Sequence, residues 1–272
     1  MSGNKPKILV FIPAYRCQTQ IPRVLQQFDS RVQAWIDTVI VVDNRSPDAT
    51  LETAISHGTG HFTQSNFIAW RNDDNYGLGG SHKAAFRYAV EQGFDYVVVL
   101  HGDDQADIRD LIPELEAGAH LAVDCLLGAR FMRGSRLQGY SLFRSFGNRV
   151  YNALFSLATL RPIYDLGSGL NLYRVTSLRD FYYKSLPDDL TFNYVMLLAS
   201  YHRKQSVHFF PISWREEDQV SNVKLFRQAF KVLALLAGYY FKRGDFLASE
   251  MRSRPFDCYS GQIQHSQQVR TI

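Results

Sequence analysis

The chain is poor in cysteine, with three among 272 residues, at positions 17, 125 and 258. Their odd number and wide spacing fit neither a disulfide framework nor a zinc site, and they favour a reducing compartment. Apolar runs of the roughly 20 residues that a membrane-spanning helix needs are missing too, and residues 1–7 are too polar for a signal peptide. We therefore expect a cytoplasmic protein.

Strong charge of either sign is also missing. The formal net charge is +4 and the isoelectric point is about 8.9, which is only mildly basic. Such a balance suits an anionic substrate or an anionic membrane surface, and it is too weak to indicate nucleic acid as a partner. With 46% hydrophobic and 21% charged residues, the composition predicts a globular protein with one large core or two small ones.

Strands and helices alternate along the first hundred residues. Short apolar runs predict strands at 7–12, 38–42, 66–70 and 96–100, with helical segments between them. This alternation predicts an α/β fold with a mostly parallel, doubly wound sheet flanked by helices. In the less regular second half, helices are predicted at 110–117, 145–160, 190–201 and 225–241, and the tail after Arg252 is predicted to be poorly ordered.

A polar cluster, His101-Gly102-Asp103-Asp104-Gln105, follows the fourth predicted strand. The carboxyl ends of parallel strands are where open α/β sheets bind ligands. If the segment is extended, Asp103 and Gln105 point the same way, and their hard oxygen atoms suit Mg²⁺ or Mn²⁺ shared with substrate phosphates. The alternative is an Asp-rich turn without a ligand.

Two other loops contain candidate binding residues for a phosphate, a sugar or a nucleoside. The segment Gly77-Leu78-Gly79-Gly80 does not match Gly-x-Gly-x-x-Gly, and a polar loop rather than a strand precedes it, which argues against a dehydrogenase. It predicts either close approach of the backbone to a phosphate or sugar at a helix N-terminus, or only a glycine-rich helix start. Asp43, after the second predicted strand, could bind a nucleobase or ribose, or only form the turn.

Arginines are concentrated after a further short strand predicted at 125–127. Arg130, Arg133, Arg136 and Arg144 lie within fifteen residues, and arginine forks suit phosphate oxygens. The alternative is a solvated basic loop. The stretch 132–143 is rich in Gly, Ser and Arg, and we expect a mobile loop that orders over bound substrate.

Taken in order, these segments resemble the family 2 glycosyltransferases of the GT-A fold, and most of all their dolichyl- or polyprenyl-phosphate sugar synthase branch. The resemblance lies at 11–15, 39–50, 75–80 and 101–105, and in shorter matches at 128–130, at Arg144 with 147–148, and at 165–169. His101 and Asn44 depart from the family's pattern, which has aspartate at both places. Residues 221–225 only approximate the synthases' Ser-Lys-Leu.

The resemblance implies an inverting glycosyltransferase that takes a sugar from a nucleotide diphosphate donor. It implies a GT-A domain at 1–225, with a nucleotide-sugar half at 7–105 and an acceptor half at 106–225. A C-terminal apolar helix and polar tail would follow at 226–272, forming a helical extension.

The family's motifs also imply roles for single residues. Asp103 would be catalytic and, with Gln105, would hold Mg²⁺ or Mn²⁺ against the donor diphosphate. Arg130 and Arg144 would bind a phosphate of the donor or of the acceptor. The nucleotide-sugar donor would be bound by Asp103 together with Pro13, Tyr15, Asp43, Asn75 and Gly77.

Two acceptor classes stay open at this point. A polyprenyl phosphate is already a nucleophile, whereas a saccharide hydroxyl needs a general base. Asp188 or Asp189, before the predicted helix at 190–201, is the candidate catalytic base. An alternative from another class is an inactive nucleotide-sugar-binding scaffold, since His101 stands where the family has an acidic ligand.

The predicted helix at 225–241 has an uncharged core at 232–241 with basic residues on both sides. Ten helical residues span about 15 Å, half of the roughly 30 Å hydrocarbon core of a bilayer. The pattern favours peripheral contact with an anionic membrane, at its inner face. The alternatives are packing on the sheet or a contact between two copies of the chain in a homo-oligomer.

Overall fold

The computed structural model describes residues 5–217 and 225–269. The strands in these ranges are β1 (Ile8–Ala14), β2 (Thr38–Asp43), β3 (Asn66–Asn72), β4 (Tyr96–Leu100), β5 (Cys125–Ala129), β6 (Arg136–Gln138), β7 (Leu170–Arg174), β8 (Val207–Pro211), β9 (Ser213–Arg215) and β10 (Gly261–Gln267). The α-helices are α1 (Ile21–Gln26), α2 (Ser30–Gln33), α3 (Thr50–Gly58), α4 (Gly77–Glu91), α5 (Ile112–Glu116), α6 (Leu142–Thr159), α7 (Phe192–His202) and α8 (Leu225–Ala248). Short 3₁₀ helices lie at Ile108–Leu111, Ala119–Ala122, Val175–Leu178 and Tyr182–Ser185.

β1 lies at the centre of the first half. It pairs in parallel with β2 and β4, and β2 pairs in parallel with β3. Alternate side chains of β1 enter two cores: Ile8, Val10 and Ile12 pack with α1 and α3, whereas Leu9 and Phe11 pack with α4 and α7. Strands that are buried on both faces are continuous apolar runs, which is the pattern that predicted these four strands. They form the expected doubly wound, parallel sheet.

The second half extends this sheet with mixed pairing. β7 lies antiparallel between β4 and β5, and β8 pairs in parallel with β5. The full order is β10-β3-β2-β1-β4-β7-β5-β8. β6 and β9 form a separate parallel pair, so the stretch 132–143 contains a short strand; its mobility stays a prediction.

The C-terminal tail forms β10, so the prediction of a poorly ordered tail is wrong for the described residues. β10 pairs antiparallel with β3, from Gly261 opposite Asn72 to Gln267 opposite Phe67. Without this partner, β3 would present unpaired backbone groups at the edge of the sheet. The tail therefore covers the edge of the half that the sequence assigned to the nucleotide sugar.

The predicted apolar helix is present as α8, whose helical backbone is interrupted at Lys242 (φ −136°). Within 5–217 and 225–269, no helix combines the length and the apolarity that crossing a membrane requires. Val232 and Tyr239 are buried in the core shared with α4 and α7, whereas Phe230 and Phe241 are exposed. One side of α8 therefore packs on the protein and another side faces outward.

Candidate functional site

The residues after β4 form a turn, so the premise of an extended segment is wrong. Asp104 has a left-handed backbone (φ 60°), and Asp103 Oδ1 accepts a hydrogen bond from the backbone N–H of Gln105 at 3.2 Å. The Asp-rich turn given as the alternative is therefore present, although a turn does not by itself exclude a ligand. Burial raises the pKa of the Asp103 carboxyl, partly offset by His101, so a nearby cation would stabilise the charged form.

The Asp104 carboxylate stabilises this turn. Its carboxylate accepts hydrogen bonds from Arg23 Nε at 2.7 Å and Gln27 Nε2 at 2.9 Å, and it forms an ion pair with Arg215. Arg215 Nε also donates to the Asp104 carbonyl oxygen at 2.8 Å. These contacts join the turn to α1 and β9 and fix the position of the neighbouring Asp103.

The carboxyl ends of β1, β2 and β4 bring the donor-side candidates together. Ala14 lies opposite Asp43 in the register of the sheet, and the backbone N–H of Gly102 donates to the Pro13 carbonyl at 3.1 Å. Tyr15 follows directly after β1 and is 43% exposed. The predicted nucleoside-binding residues therefore lie along one edge of the sheet, beside the turn after β4.

Asp43 is fully buried at this edge. Its Oδ2 accepts a hydrogen bond from Arg71 Nε at 2.9 Å, and its Oδ1 accepts one from the backbone N–H of Ser46 at 3.1 Å. A carboxylate has about four acceptor positions, so a nucleobase or ribose could still use this group. The Arg71 charge balances the buried carboxylate.

The structure explains why asparagine at position 44 suits this loop. Asn44 Nδ2 donates to Asn75 Oδ1 at 2.8 Å, while Asn44 Oδ1 accepts from the Tyr76 backbone N–H at 2.9 Å and from Asn72 Nδ2 at 3.0 Å. An aspartate could accept but not donate. Asn75 Oδ1 also accepts from the backbone N–H of Gly77 at 3.1 Å. The network holds both predicted donor-binding residues, Asn75 and Gly77, beside the end of β2.

Asp188 is held in a buried cluster. Its Oδ1 accepts hydrogen bonds from Lys83 Nζ at 2.7 Å and from the Tyr259 hydroxyl at 2.8 Å. Burial lowers the pKa of Lys83 to about 8, against the opposing effect of Asp188. A Cβ on Gly77, whose φ is 72°, would lie 2.4 Å from the Asp188 carbonyl oxygen, so the N-terminus of α4 packs directly on this backbone. Asp188 thus joins α4 to the acceptor half and to the C-terminal tail.

Asp189 stabilises the start of α7. Its Oδ1 accepts from the Thr191 backbone N–H at 2.8 Å and from the Thr191 hydroxyl at 2.6 Å, and its Oδ2 pairs with Lys231 on α8. Burial acts to raise the pKa of Asp189, but hydrogen bonds from Lys231 and Thr191 outweigh it and lower that pKa. A general base works best with a pKa near the operating pH, so the lowered pKa of Asp189 disfavours that role; base catalysis by Asp188 stays a prediction.

The two predicted phosphate-binding arginines have different surroundings. Arg130 is buried; its Nε and Nη2 donate to Asp165 at 2.7 and 2.8 Å, and its guanidinium lies 4.7 Å from the centroid of the Trp214 ring. Arg144, in the first turn of α6, is half-buried and donates from Nη1 to Glu216 Oε2 at 2.7 Å. Arg130 therefore holds the turn that begins at Asp165, while Arg144 is more accessible to a ligand.

Sequence reasoning missed Glu216. Its Oε1 accepts a hydrogen bond from Gln105 Nε2 at 3.5 Å, across a separation of 111 residues, while its Oε2 accepts from Arg144. One carboxylate thus connects the candidate metal ligand with the candidate phosphate ligand. Its position directly after a strand, β9, could have identified it in the sequence, in the same way that Asp43 stands at the end of β2.

The oxygen atoms at the turn fit a hard divalent cation. Among the described residues, no three His, Cys, Asp or Glu side chains converge to hold a metal ion by themselves. Asp103 and Gln105 offer two oxygen ligands, and ions such as Mg²⁺ commonly complete a set of this size with water and substrate phosphates. Burial lowers the pKa of His101, against the opposing effect of Asp103, which disfavours a second positive charge beside the site.

An exposed apolar face runs along α6, whose first turn contains Arg144. Phe143 is 77% and Phe146 68% exposed, and α8, which packs against α6, adds further exposed aromatic side chains. Contiguous patches of this kind mark interaction or membrane surfaces. The exposed apolar residues of α6 and its C-cap are Leu142, Phe143, Phe146, Val150, Leu154, Leu157 and Leu160.

Comparison with known proteins adds a family and a fold. The model of the family described as glycosyl transferase family 2 matches residues 9–181, more than half of the chain. Among solved structures, glucosyl-3-phosphoglycerate synthase from Mycobacterium tuberculosis in complex with UDP superposes with a TM-score of 0.60 at 18% identity, covering 86% of this chain and 79% of that one. At this identity the likeness shows the fold alone, and it confirms the predicted GT-A fold.

Curated relatives match a similar part of the sequence. The chain is 27% identical over 176 residues to undecaprenyl-phosphate mannosyltransferase of Micrococcus luteus, which is 64% of this chain and 68% of that protein. It is 24% identical over 165 residues to dolichol-phosphate mannosyltransferase of Pyrococcus furiosus, which is 60% of this chain and 45% of that protein. The match therefore spans about two thirds of the first relative and less than half of the second.

Proposed function

The chain belongs to glycosyl transferase family 2, and we propose that it transfers a sugar, with inversion, from a nucleotide diphosphate donor to a polyprenyl phosphate. The supporting observation is that the turn after β4, through Gln105, the Arg144–Glu216 pair and the exposed apolar face of α6 adjoin one another. The names of the two curated mannosyltransferases support the acceptor class. Formation of a lipid-linked sugar phosphate from a nucleotide sugar tests the proposal.

The donor lies along the carboxyl edge of the sheet in this proposal. Pro13, Tyr15 and Asp43 contact the nucleoside from the ends of β1 and β2. Asn75 and Gly77 lie beside the diphosphate or the sugar at the N-terminus of α4, where the helix dipole favours negative charge; the N–H groups of Gly77 and Gly79 already donate to Asn75 and to the Asp188 carbonyl. The Asn44 network holds Asn75 and Gly77 in this place.

Asp103 and Gln105 would hold a divalent metal, Mg²⁺ or Mn²⁺, against the donor diphosphate. When bound, such an ion neutralises the charge that develops on the leaving nucleoside diphosphate. Asp104 does not share this task, because its carboxylate is engaged by Arg23, Gln27 and Arg215.

The surroundings of Asp188 and Asp189 favour a phosphate acceptor over a saccharide hydroxyl. A phosphate oxygen is already charged at neutral pH and needs no proton removed, whereas a hydroxyl needs a base. Both candidate bases are instead paired with lysines. Arg144 would bind the acceptor phosphate through charge-assisted hydrogen bonds, whereas the buried guanidinium of Arg130 is engaged by Asp165. Attack from the face opposite the leaving diphosphate then inverts the anomeric carbon.

A polyprenyl phosphate lies in a membrane, so the site must reach the lipid surface. In the proposal, the exposed apolar side chains of α6 and α8 enter the interface, and exposed basic residues such as Arg149 and Lys242 meet anionic head groups. Leu235 and Leu236, in the uncharged core of the predicted helix, are only partly exposed and pack on the protein. The exposed apolar residues of α8 that would face the lipid are instead Phe230, Leu233, Tyr240 and Phe241.

Replacing Phe143 and Phe146 together by serine should weaken binding to anionic vesicles at least about tenfold, because burying one phenylalanine contributes roughly 1.5–3 kcal/mol. Co-sedimentation with phosphatidylserine-containing vesicles measures the loss, and an unchanged melting temperature shows that the fold persists. Leu121→Ser is the matched control, because Leu121 is 62% exposed but lies in a 3₁₀ helix outside α6 and α8. An equal loss in the control, or no vesicle binding by the unaltered chain at low salt, would contradict the membrane surface.

A further inference from the structure

Glu216 contacts both sides of the proposed site. Its Oε1 accepts from Gln105 Nε2 at 3.5 Å and its Oε2 accepts from Arg144 Nη1 at 2.7 Å. We propose that Glu216 is a positioning residue, which holds Gln105 in its metal-binding orientation and Arg144 in its phosphate-binding orientation at the same time. The identity of these two ligands rests on the proposed function.

The backbone around Glu216 is fixed from two sides. The N–H of Glu216 donates to the Gln138 carbonyl at 3.0 Å, and the N–H of Arg215 donates to the Gln105 carbonyl at 2.9 Å. A Cβ on Gly139, whose φ is 71°, would lie 2.3 Å from the Glu216 carbonyl oxygen. Contacts with β6 and with the turn after β4 therefore fix the backbone of this segment, and they restrict where the Glu216 carboxylate can lie.

The contact with Glu216 selects one orientation of the Gln105 amide. A carboxylate only accepts hydrogen bonds, so Gln105 must present its NH₂ group to Glu216 and turn Oε1 away. Oxygen is the atom that a hard cation binds. Without the carboxylate, the amide could rotate and direct its NH₂ group at the metal position, which would repel a cation.

The same carboxylate restrains Arg144. An arginine side chain loses roughly 2 kcal/mol of rotamer entropy when it is held in one conformation. The ion pair to Glu216, whose side chain is 19% exposed, orders the guanidinium before an acceptor arrives. An ordered arginine binds a phosphate more tightly, because less freedom is lost on binding.

Glu216→Gln tests both contacts with little change in size. The new amide keeps one neutral accepting oxygen in place of two charged ones, so whichever way it turns, one contact becomes repulsive and the other loses its charge assistance. We expect the Kd of Mn²⁺, measured by electron paramagnetic resonance with uridine or guanosine diphosphate present, to rise at least about tenfold, and the Kd of a short-chain polyprenyl phosphate to rise similarly. Glu91→Gln, which removes a carboxylate paired with Arg87 on α4, should leave both constants unchanged.

A double-mutant cycle separates positioning from a general structural effect. If Glu216 acts on the metal through Gln105, then Glu216→Gln should change the Mn²⁺ affinity less than about twofold in a Gln105→Ala background. Additive losses would overturn the inference. So would an unchanged Kd in Glu216→Gln for either Mn²⁺ or the polyprenyl phosphate, because one carboxylate is assigned both tasks.

These binding measurements require no turnover. A chain that transfers no sugar would refute the proposed function, and the two dissociation constants of Glu216→Gln would still decide the role of Glu216.

Discussion

Asp103→Asn is expected to lower the rate of sugar transfer about a thousandfold, since a metal ion supplies several kcal/mol of transition-state stabilisation. We assign the metal to Asp103 rather than to Asp104, because the Asp104 carboxylate is engaged by Arg23 and Arg215. Asparagine keeps the Oδ1 atom that accepts the Gln105 N–H. The turn should therefore survive while the metal loses a charged ligand.

The kcat of this variant at saturating donor and Mn²⁺ measures the effect, and the melting temperature should stay within a degree or two of the unaltered chain. The Mn²⁺ affinity should fall in parallel with kcat. Transfer at the unaltered rate would show that Asp103 does not hold the metal. A large drop in melting temperature would instead assign Asp103 a structural role.

Asp104→Asn should destabilise the fold, lowering the free energy of unfolding by about 2–3 kcal/mol. Breaking a buried ion pair costs roughly 3–5 kcal/mol, and the partly exposed Arg23 and Arg215 reduce that figure. Asparagine tolerates the left-handed backbone at this position (φ 60°). The substitution therefore removes the charge without adding backbone strain.

Urea unfolding of Asp104→Asn measures this loss directly. Asp74→Asn is the matched control, because Asp74 pairs with Arg254 in an exposed position, where a salt bridge contributes less than about 1 kcal/mol. A loss no larger than that of the control would show that the Asp104 contacts do not hold the turn.

The first half of the fold could be predicted from the sequence because its strands are buried on both faces. Such strands are continuous apolar runs, as in Tyr96–Leu100, and β2 and β3 end at the polar residues Asp43 and Asn72, which mark the carboxyl edge. Strand β10 could not be predicted. Its sequence, Gly-Gln-Ile-Gln-His-Ser-Gln, contains a single β-branched residue and no Phe, Tyr or Trp, and backbone pairing with the edge of β3 holds it in place.

The site was predictable where a motif is local and not where it depends on tertiary contacts. Asp43 ends β2 and Asp103 follows β4, the two strands on either side of β1, so their place at one edge of the sheet follows from topology. The Asp188 carboxylate looked available as a base, but Lys83 and Tyr259 reach it from distant parts of the chain. Glu216 meets Gln105 across 111 residues, and no local pattern predicts such a contact.

The most direct measurement offers the chain a nucleotide sugar, Mn²⁺ and two competing acceptors, a short-chain polyprenyl phosphate and a mixture of free saccharides, and identifies the products by mass spectrometry and NMR. We expect a single product, the polyprenyl phosphate carrying the sugar with inverted anomeric configuration. Sugar on a saccharide hydroxyl, with the lipid phosphate unchanged, would contradict the proposed acceptor. Binding of the nucleotide sugar without any product would contradict the proposed activity and favour an inactive scaffold.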